Sequence, residues 1–138
     1  PGRRARLTAM GAFAVVPPGD ASPAAGTADL VIDAHGGARS REAASALVRA
    51  GGVIVHIGLA EAAGGLDVRR FTLQDVSFLG SYTYTPQDFV ETVDALGSGR
   101  LGALDWFDER PLEAGAAAFA DLVAGTVDAP KILLRPRA

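Results

Sequence analysis

Cysteine is absent from the 138 residues, which excludes a disulfide framework and any thiolate metal site. Lysine is reduced to Lys131 among 13 basic residues, and the formal net charge is only −3. With a pI near 5.3, no clustered excess of cation is available for a nucleic-acid surface. No apolar run reaches membrane-spanning length, and the early arginines lead into no apolar segment of signal-peptide type, so a cytoplasmic protein is the default expectation. The Gly-x-Ser-x-Gly, HExxH and Walker patterns are missing, as is any internal repeat. What remains is the balance of a globular protein, 49% apolar and 21% charged, with length enough for one domain over 1–138 and a real core. The bias towards Ala and Arg reads as genomic composition.

The stretch that organises the chain covers residues 29–59. Residues 30–34 and 53–57 are short apolar runs, and between them Ala44, Leu47 and Val48 recur at helical spacing. Two near-continuously apolar strands around one helix predict a parallel βαβ unit with both sheet faces covered and a right-handed crossover. Ser40 is the expected N-cap, Glu42 suits the positive end of the helix, Arg49 its negative end, and Gly51 is expected to close it. Both strands exit into glycine-containing turns, Ala34-His35-Gly36 and Ile57-Gly58-Leu59. Those turns lie at the carboxyl ends of parallel strands, where doubly wound sheets bind their ligands.

Residues 3–10 have the pattern of a helix end stopped at Gly11, and residues 13–16 that of a short strand closed by Pro17-Pro18-Gly19-Asp20. Residues 21–27 and 61–65 read as loops. A β-rich run, Val76-Ser77-Phe78-Leu79, ends at Gly80-Ser81. Thr85-Pro86-Gln87-Asp88 is the best helix start in the chain, followed by an apolar stripe of Phe89, Val90, Val93 and Leu96. Residues 104–108 predict a short extended piece. Pro111 opens another helix, with Leu112, Ala116, Phe119, Leu122 and Val123 facing inward and Gly125 as its stop, and residues 131–134 predict a final strand.

These words in this order resemble the carboxyl-terminal half of the medium-chain dehydrogenase/reductase family, the zinc-dependent alcohol and polyol dehydrogenases. Arg3 with Gly11-Ala12, Asp29-Leu-Val-Ile-Asp-Ala-His-Gly36, and Leu47-Val-Arg-Ala-Gly-Gly-Val-Ile-Val-His-Ile-Gly-Leu59 are similar to the family's second-strand-to-helix, fourth-strand and fifth-strand segments. Phe78-Leu-Gly-Ser-Tyr82 resembles the sixth strand's ending. Pro111-Leu-Glu113, Ala118-Phe119, Gly125 and Lys131-Ile-Leu-Leu134 resemble the terminal run. The fold this implies is α/β, a partial Rossmann domain (a doubly wound parallel sheet) lacking its first strands. The family's G-x-G-x-x-G turn, its ribose-binding acid and its zinc-bearing amino-terminal domain would lie before Pro1, so the chain is expected to be a fragment. Its expected core is three contiguous parallel strands, marked by Val31, Val53 and Phe78. Residues 13–16 are expected to be poorly paired or displaced.

The resemblance also implies a site. Ala34, His35 and Gly36 would lie near a ribose of the cofactor. Ile57, Gly58 and Leu59 would offer backbone and apolar surface to the nicotinamide, and Leu79, Gly80 and Ser81 would reach its carboxamide edge. The plainer reading of His35 is a turn histidine, since no second ligand type lies near it. His56, between apolar neighbours, reads as a satisfied core histidine. Asp33 reads as an acceptor for backbone amides at its strand end. Arg3 and Arg4 could grip a 2′-phosphate, with exposed helix arginines the plainer reading. Glu42, Glu61, Asp105, Asp108 and Glu109 show no spacing that makes a carboxylate pair.

The function that follows is the NAD- or NADP-binding portion of an alcohol or polyol dehydrogenase, inactive by itself, with zinc held only by the missing domain. A small-molecule alcohol is the expected substrate of the parent enzyme, with no nucleic-acid or membrane partner. The strand at 76–79 is the expected dimer edge, since an open apolar edge invites pairing. The alternatives are a zinc-independent enoyl or quinone reductase of the same superfamily, a non-catalytic oligomerisation piece, and, more remotely, another doubly wound nucleotide binder such as a methyltransferase.

Overall fold

The elements run α1 (Gly2–Ala9), β1 (Ala28–Asp33), α2 (Ala38–Leu47), β2 (Val48–His56), α3 (Val68–Leu73), β3 (Ser77–Gly80), α4 (Pro86–Gly97), β4 (Phe107–Pro111), a 3-10 turn (Leu112–Ala114), α5 (Gly115–Ala124) and β5 (Lys131–Arg135). The computed structural model describes residues 2–9, 14–16, 23–102 and 104–136. Two units emerge, Pro18–Thr85 and Pro1–Pro17 together with Pro86–Ala138.

In the first unit β1, β2 and β3 lie side by side in that order, and both pairings are parallel. This is the contiguous parallel core that the sequence predicts around Val31, Val53 and Phe78. Ala44, Val48 and Ile54 are its buried centre, with Val31, Phe71, Val76 and Phe78 packed against them. Side chains alternate across a strand, so the neighbours of Val31 point the other way. That second face is not covered: Ile32 is 59% exposed, and Leu30 and Leu79 are exposed with it. The expectation of two covered faces fails because α2 and α3 both serve the same side.

The helix boundaries also differ from the sequence reading. α2 begins after Gly37, and Ser40 sits at the third helical position, where its hydroxyl accepts the Gly37 N–H at 3.0 Å. Ser40 is therefore the returning member of the cap and not the cap itself. The helix ends at Leu47, and β2 starts on the next residue. Gly51 lies inside β2. Ala28 pairs with Val48 and Leu30 with Val53, so residues 49–52 bulge opposite Asp29 alone, and Gly51 takes the positive φ of 66° that the bulge requires. α3 was not anticipated at all. Asp67 caps it by accepting the Arg70 N–H at 2.9 Å, but its β-branched and aromatic residues mask that signal. The Arg70 guanidinium donates to Ser45 O and Val48 O, setting a cation against the negative end of α2.

In the second unit α4 starts at Pro86, as its opening residues dictate, and its stripe of Phe89, Val90, Val93 and Leu96 stays about half exposed. β4 and β5 pair in parallel around α5, whose end at Gly125 matches expectation. The extended piece expected at 104–108 lies three residues further on, at Phe107–Pro111. The helix expected from Pro111 opens as a 3-10 turn. Leu112, Ala116, Phe119 and Val123, expected inward, are exposed, while Ala118 is buried and Leu122 partly so. Two strands give α5 only a narrow surface, and small Ala118 suits that close approach. Arg110–Asp121 at 2.7 Å and Arg135–Glu109 at 2.5 Å fasten the unit. Residues 14–16 belong to no strand, in keeping with the expected loss of pairing there. Phe13, Met10, Gly11 and Pro17 lie outside the described residues.

The one-sided sheet sets a contrast. Ile54→Ala should cost about 2–5 kcal/mol, a buried Ile truncation. Ile32→Ala, on the open face, should stay within about 0.5 kcal/mol. Urea unfolding of the two variants measures both; equal losses would mean that both faces are packed.

Candidate functional site

The register of the sheet brings Asp33, His56 and Gly80 onto one line across three strands, at their carboxyl ends. The turns that follow are therefore neighbours: Ala34, His35 and Gly36 after β1, Ile57, Gly58 and Leu59 after β2, and Leu79, Gly80 and Ser81 at the end of β3. All nine residues singled out by sequence thus lie at one end of the sheet. Gly36 and Gly58 are buried, and the other seven are exposed.

Asp33 joins the first two turns. Its carboxylate accepts the His35 N–H at 3.1 Å, the Gly36 N–H at 2.9 Å and the Ser40 hydroxyl at 3.0 Å. Its main-chain carbonyl accepts the Ile57 and Gly58 amides at 3.0 and 3.1 Å. The structural role read from sequence is thus the observed one. Asp33 is only 5% exposed. Burial pushes its pKa up, but the Gly36 amide, the Ser40 hydroxyl, the His35 amide and nearby His56 together hold it below the ordinary carboxylate value.

The contact continues through Ala60 N–H to His35 O at 3.1 Å and Glu61 N–H to Gly36 O at 3.0 Å, while Ser81 N–H reaches His56 O at 3.0 Å. At Gly36 and Gly58 the two backbones touch. A Cβ on Gly36, which has φ of 74°, would lie 2.0 Å from Gly58 O, and one on Gly58 would lie 2.1 Å from the His35 carbonyl carbon. The glycines are required by turn-to-turn packing. Gly80, by contrast, opens on free space.

These bonds engage most of the amides of the first two turns. Gly37 N–H is held by Ser40, and Ala38 N–H by the Glu61 carboxylate at 2.9 Å, so the start of α2 already carries an anion of its own. Neither of these amides is left for a phosphate. The groups facing outward are apolar or uncharged, chiefly Ile57, Leu59, Leu79 and the open edge at Gly80. Such a surface suits a flat ring better than a phosphate.

His56 departs from its expected satisfaction. Its Nε2 is buried without a hydrogen-bond partner, 3.6 Å from Asp33 Oδ2, and its ring lies 5.5 Å from that of Phe78. Arg4 is exposed on α1, and the side chain of Arg3 lies outside the described residues. Glu61, weighed in sequence only as a possible carboxylate partner, acts as the cap of α2. Arg41 was missed. It is 5% exposed and donates from Nε to Gly64 O at 2.5 Å, from Nη1 to Gly36 O at 2.8 Å and Glu61 O at 3.0 Å, and from Nη2 to Ala63 O. No short-range signal marks an arginine whose acceptors are carbonyls up to 23 positions away.

The fold is that of a partial Rossmann domain of the α/β class. Residues 1–98 match the zinc-binding dehydrogenase family, and the chain belongs to that family, part of the medium-chain dehydrogenases/reductases. No curated protein sequence matches it. Among solved structures it is similar to L-idonate 5-dehydrogenase from Escherichia coli, with 23% identity and a TM-score of 0.81, covering 97% of this chain and 40% of that one. An NAD-dependent alcohol dehydrogenase is 26% identical with a TM-score of 0.62, covering 80% and 32%. An alcohol dehydrogenase from a Thermus species is also 26% identical, with a TM-score of 0.66, covering 79% and 32%. The chain spans between 30% and 40% of the length of such relatives.

Zinc does not fit the residues present. The chain has no cysteine, and among the described residues no group of three or more His, Cys, Asp or Glu could hold a metal ion. No helix among them is long and apolar enough to cross a membrane.

Two outcomes follow. Gly58→Ala should destabilise by at least about 3 kcal/mol, because the obstructing atoms are backbone, whereas Gly80→Ala should stay within about 0.5 kcal/mol; thermal melts compare them. Asp33 contributes stability that is fully present above its unfolded pKa near 3.8 and is lost as pH falls through its lower folded pKa. Asp33→Asn should therefore cost about 1–3 kcal/mol at neutral pH and flatten the acid limb of a stability curve recorded between pH 7 and pH 2. An unchanged acid limb would place that titration elsewhere.

Proposed function

We propose that this chain is the cofactor-holding part of a cytoplasmic NAD(P)-dependent alcohol or polyol dehydrogenase. The observation that carries this reading is the line of three parallel strand ends whose turns are cross-braced by their own amides and face outward with apolar side chains. In this reading Ala34, His35, Gly36, Ile57, Gly58, Leu59, Leu79, Gly80 and Ser81 form one wall of the nicotinamide side of the groove. Bound nicotinamide supplies the acceptor for a hydride leaving the alcohol carbon. Ile57, Leu59 and Leu79 give the ring an apolar seat and exclude water from one side. Rigid turns fix its orientation, since hydride transfer depends on a correct approach of the two carbons. The 2′-phosphate that separates NADP from NAD has no partner in this wall. No step of the proposal runs through zinc, and the chain alone is expected to turn over no alcohol.

An enoyl or quinone reductase would use the same wall, so the metal ligands carried elsewhere in such an enzyme separate the two. A second reading has its own observation: β3 is a sheet edge, and Leu79 on it is exposed. Pairing of two copies along residues 76–79 would cover that edge. Sedimentation of the chain at increasing concentration tests it. A dimer lost in a Leu79→Lys variant supports this reading, and a monomer at all concentrations refutes it.

Titration with reduced nicotinamide mononucleotide and, separately, with AMP tests the main proposal by amide chemical shifts. The nicotinamide half should move the signals of Ile57, Leu59, Gly80 and Ser81, and AMP should leave them in place. Shifts confined to other residues, or none at millimolar ligand, would refute it.

A further inference from the structure

A buried guanidinium has to find polar partners, and the one at Arg41 finds them all in the main chain. Its hydrogen bonds go to Gly36 O in the turn after β1 and to Glu61 O, Ala63 O and Gly64 O in the loop after β2. A charge that is 5% exposed is costly unless its donors are used, and here four carbonyl dipoles compensate it. The tie is reciprocal. Arg41 reaches from α2 to the loop's carbonyls, and the Glu61 carboxylate reaches from the loop back to Ala38 N–H at the start of α2. The 61–64 stretch of the loop is thus tied to the helix that follows the neighbouring strand.

We propose that Arg41 is the positioning residue of the strand-end site: it sets the course of the 57–64 loop, and through Ile57 and Leu59 the affinity for nicotinamide, without touching the ligand. The effect on affinity rests on the cofactor reading above. The planar fork is what the role demands, because four acceptors spread over two segments need divergent N–H groups in one rigid plane. A lysine ammonium keeps the charge but offers its three protons from a single point. The sheet has its own supports in Ile54, Val48 and Ala44, so the loop and the strands should respond differently to loss of the fork.

The test is amide hydrogen exchange on the full chain and on Arg41→Lys and Arg41→Met, with reduced nicotinamide mononucleotide titrated into each. In the lysine variant the Ala60 and Glu61 amides, bonded to His35 O and Gly36 O, should lose protection by about tenfold or more, while the Val53–Val55 ladder keeps its own. Binding should weaken in parallel. The lysine variant retains charge and stem, so it reports even if the methionine variant does not fold. Equal loss across loop and strands would reduce Arg41 to a general stabiliser and overturn the proposal, as would unchanged protection at Ala60 and Glu61. Loop protection lost in a chain whose unmutated form binds no mononucleotide would refute the cofactor reading while upholding the positioning of the loop. Protection and binding both intact in the lysine variant would do the reverse.

Discussion

The structure depends most on Asp33. It is the last residue of β1, and it makes a fixed object of two turns that would otherwise be separate. The carboxylate closes its own turn through the His35 and Gly36 amides, and the carbonyl holds the first amides beyond β2. The strands bring Asp33 and His56 side by side, but strand pairing alone says nothing about the chain beyond them. The depressed pKa of Asp33 keeps it an acceptor under ordinary conditions, so a buried carboxylate here is a strut and needs no titration to work.

From that strut the rest follows by exclusion. Turns held this closely leave no room for a Cβ at Gly36 or Gly58, and the His35, Gly36, Ile57, Gly58, Ala60 and Glu61 amides are already engaged. Glu61 places a carboxylate at the start of α2, which in many nucleotide-binding folds is where a phosphate sits. The strand ends after β1 and β2 therefore differ in kind from a phosphate cradle. They offer shape and apolar surface, and any charge recognition of a dinucleotide has to come from residues outside these turns.

The strands and their parallel order were legible in the sequence because their signal is local: apolar runs of strand length bounded by glycine turns. The six turn residues after β1 and β2 were placed at one end of the sheet by the same logic, and Leu79, Gly80 and Ser81 by the resemblance. Asp33 could be read because an acid two or three residues before a glycine turn has short-range amides to bind. Other features were not legible. The bulge at residues 49–52 made Gly51 look like a helix stop, since both uses ask for the same left-handed φ. The inward stripe assigned to α5 assumed a broad partner surface that two strands do not provide. Arg41 and His56 depend on the far ends of long-range contacts, which no window of sequence contains. The resemblance to the dehydrogenases supplied the family, but the distances of the turn network came only from the fold.

The uncovered face of the first sheet has a consequence for handling the protein. Leu30, Ile32 and Leu79 form a greasy plane on a fully folded molecule. Environment-sensitive dyes such as ANS bind surfaces of that kind, and their brightening is ordinarily taken as the mark of a loosened, molten interior. Strong dye fluorescence is therefore expected of the native state, so compactness has to be judged by proton exchange or sedimentation and not by dye uptake.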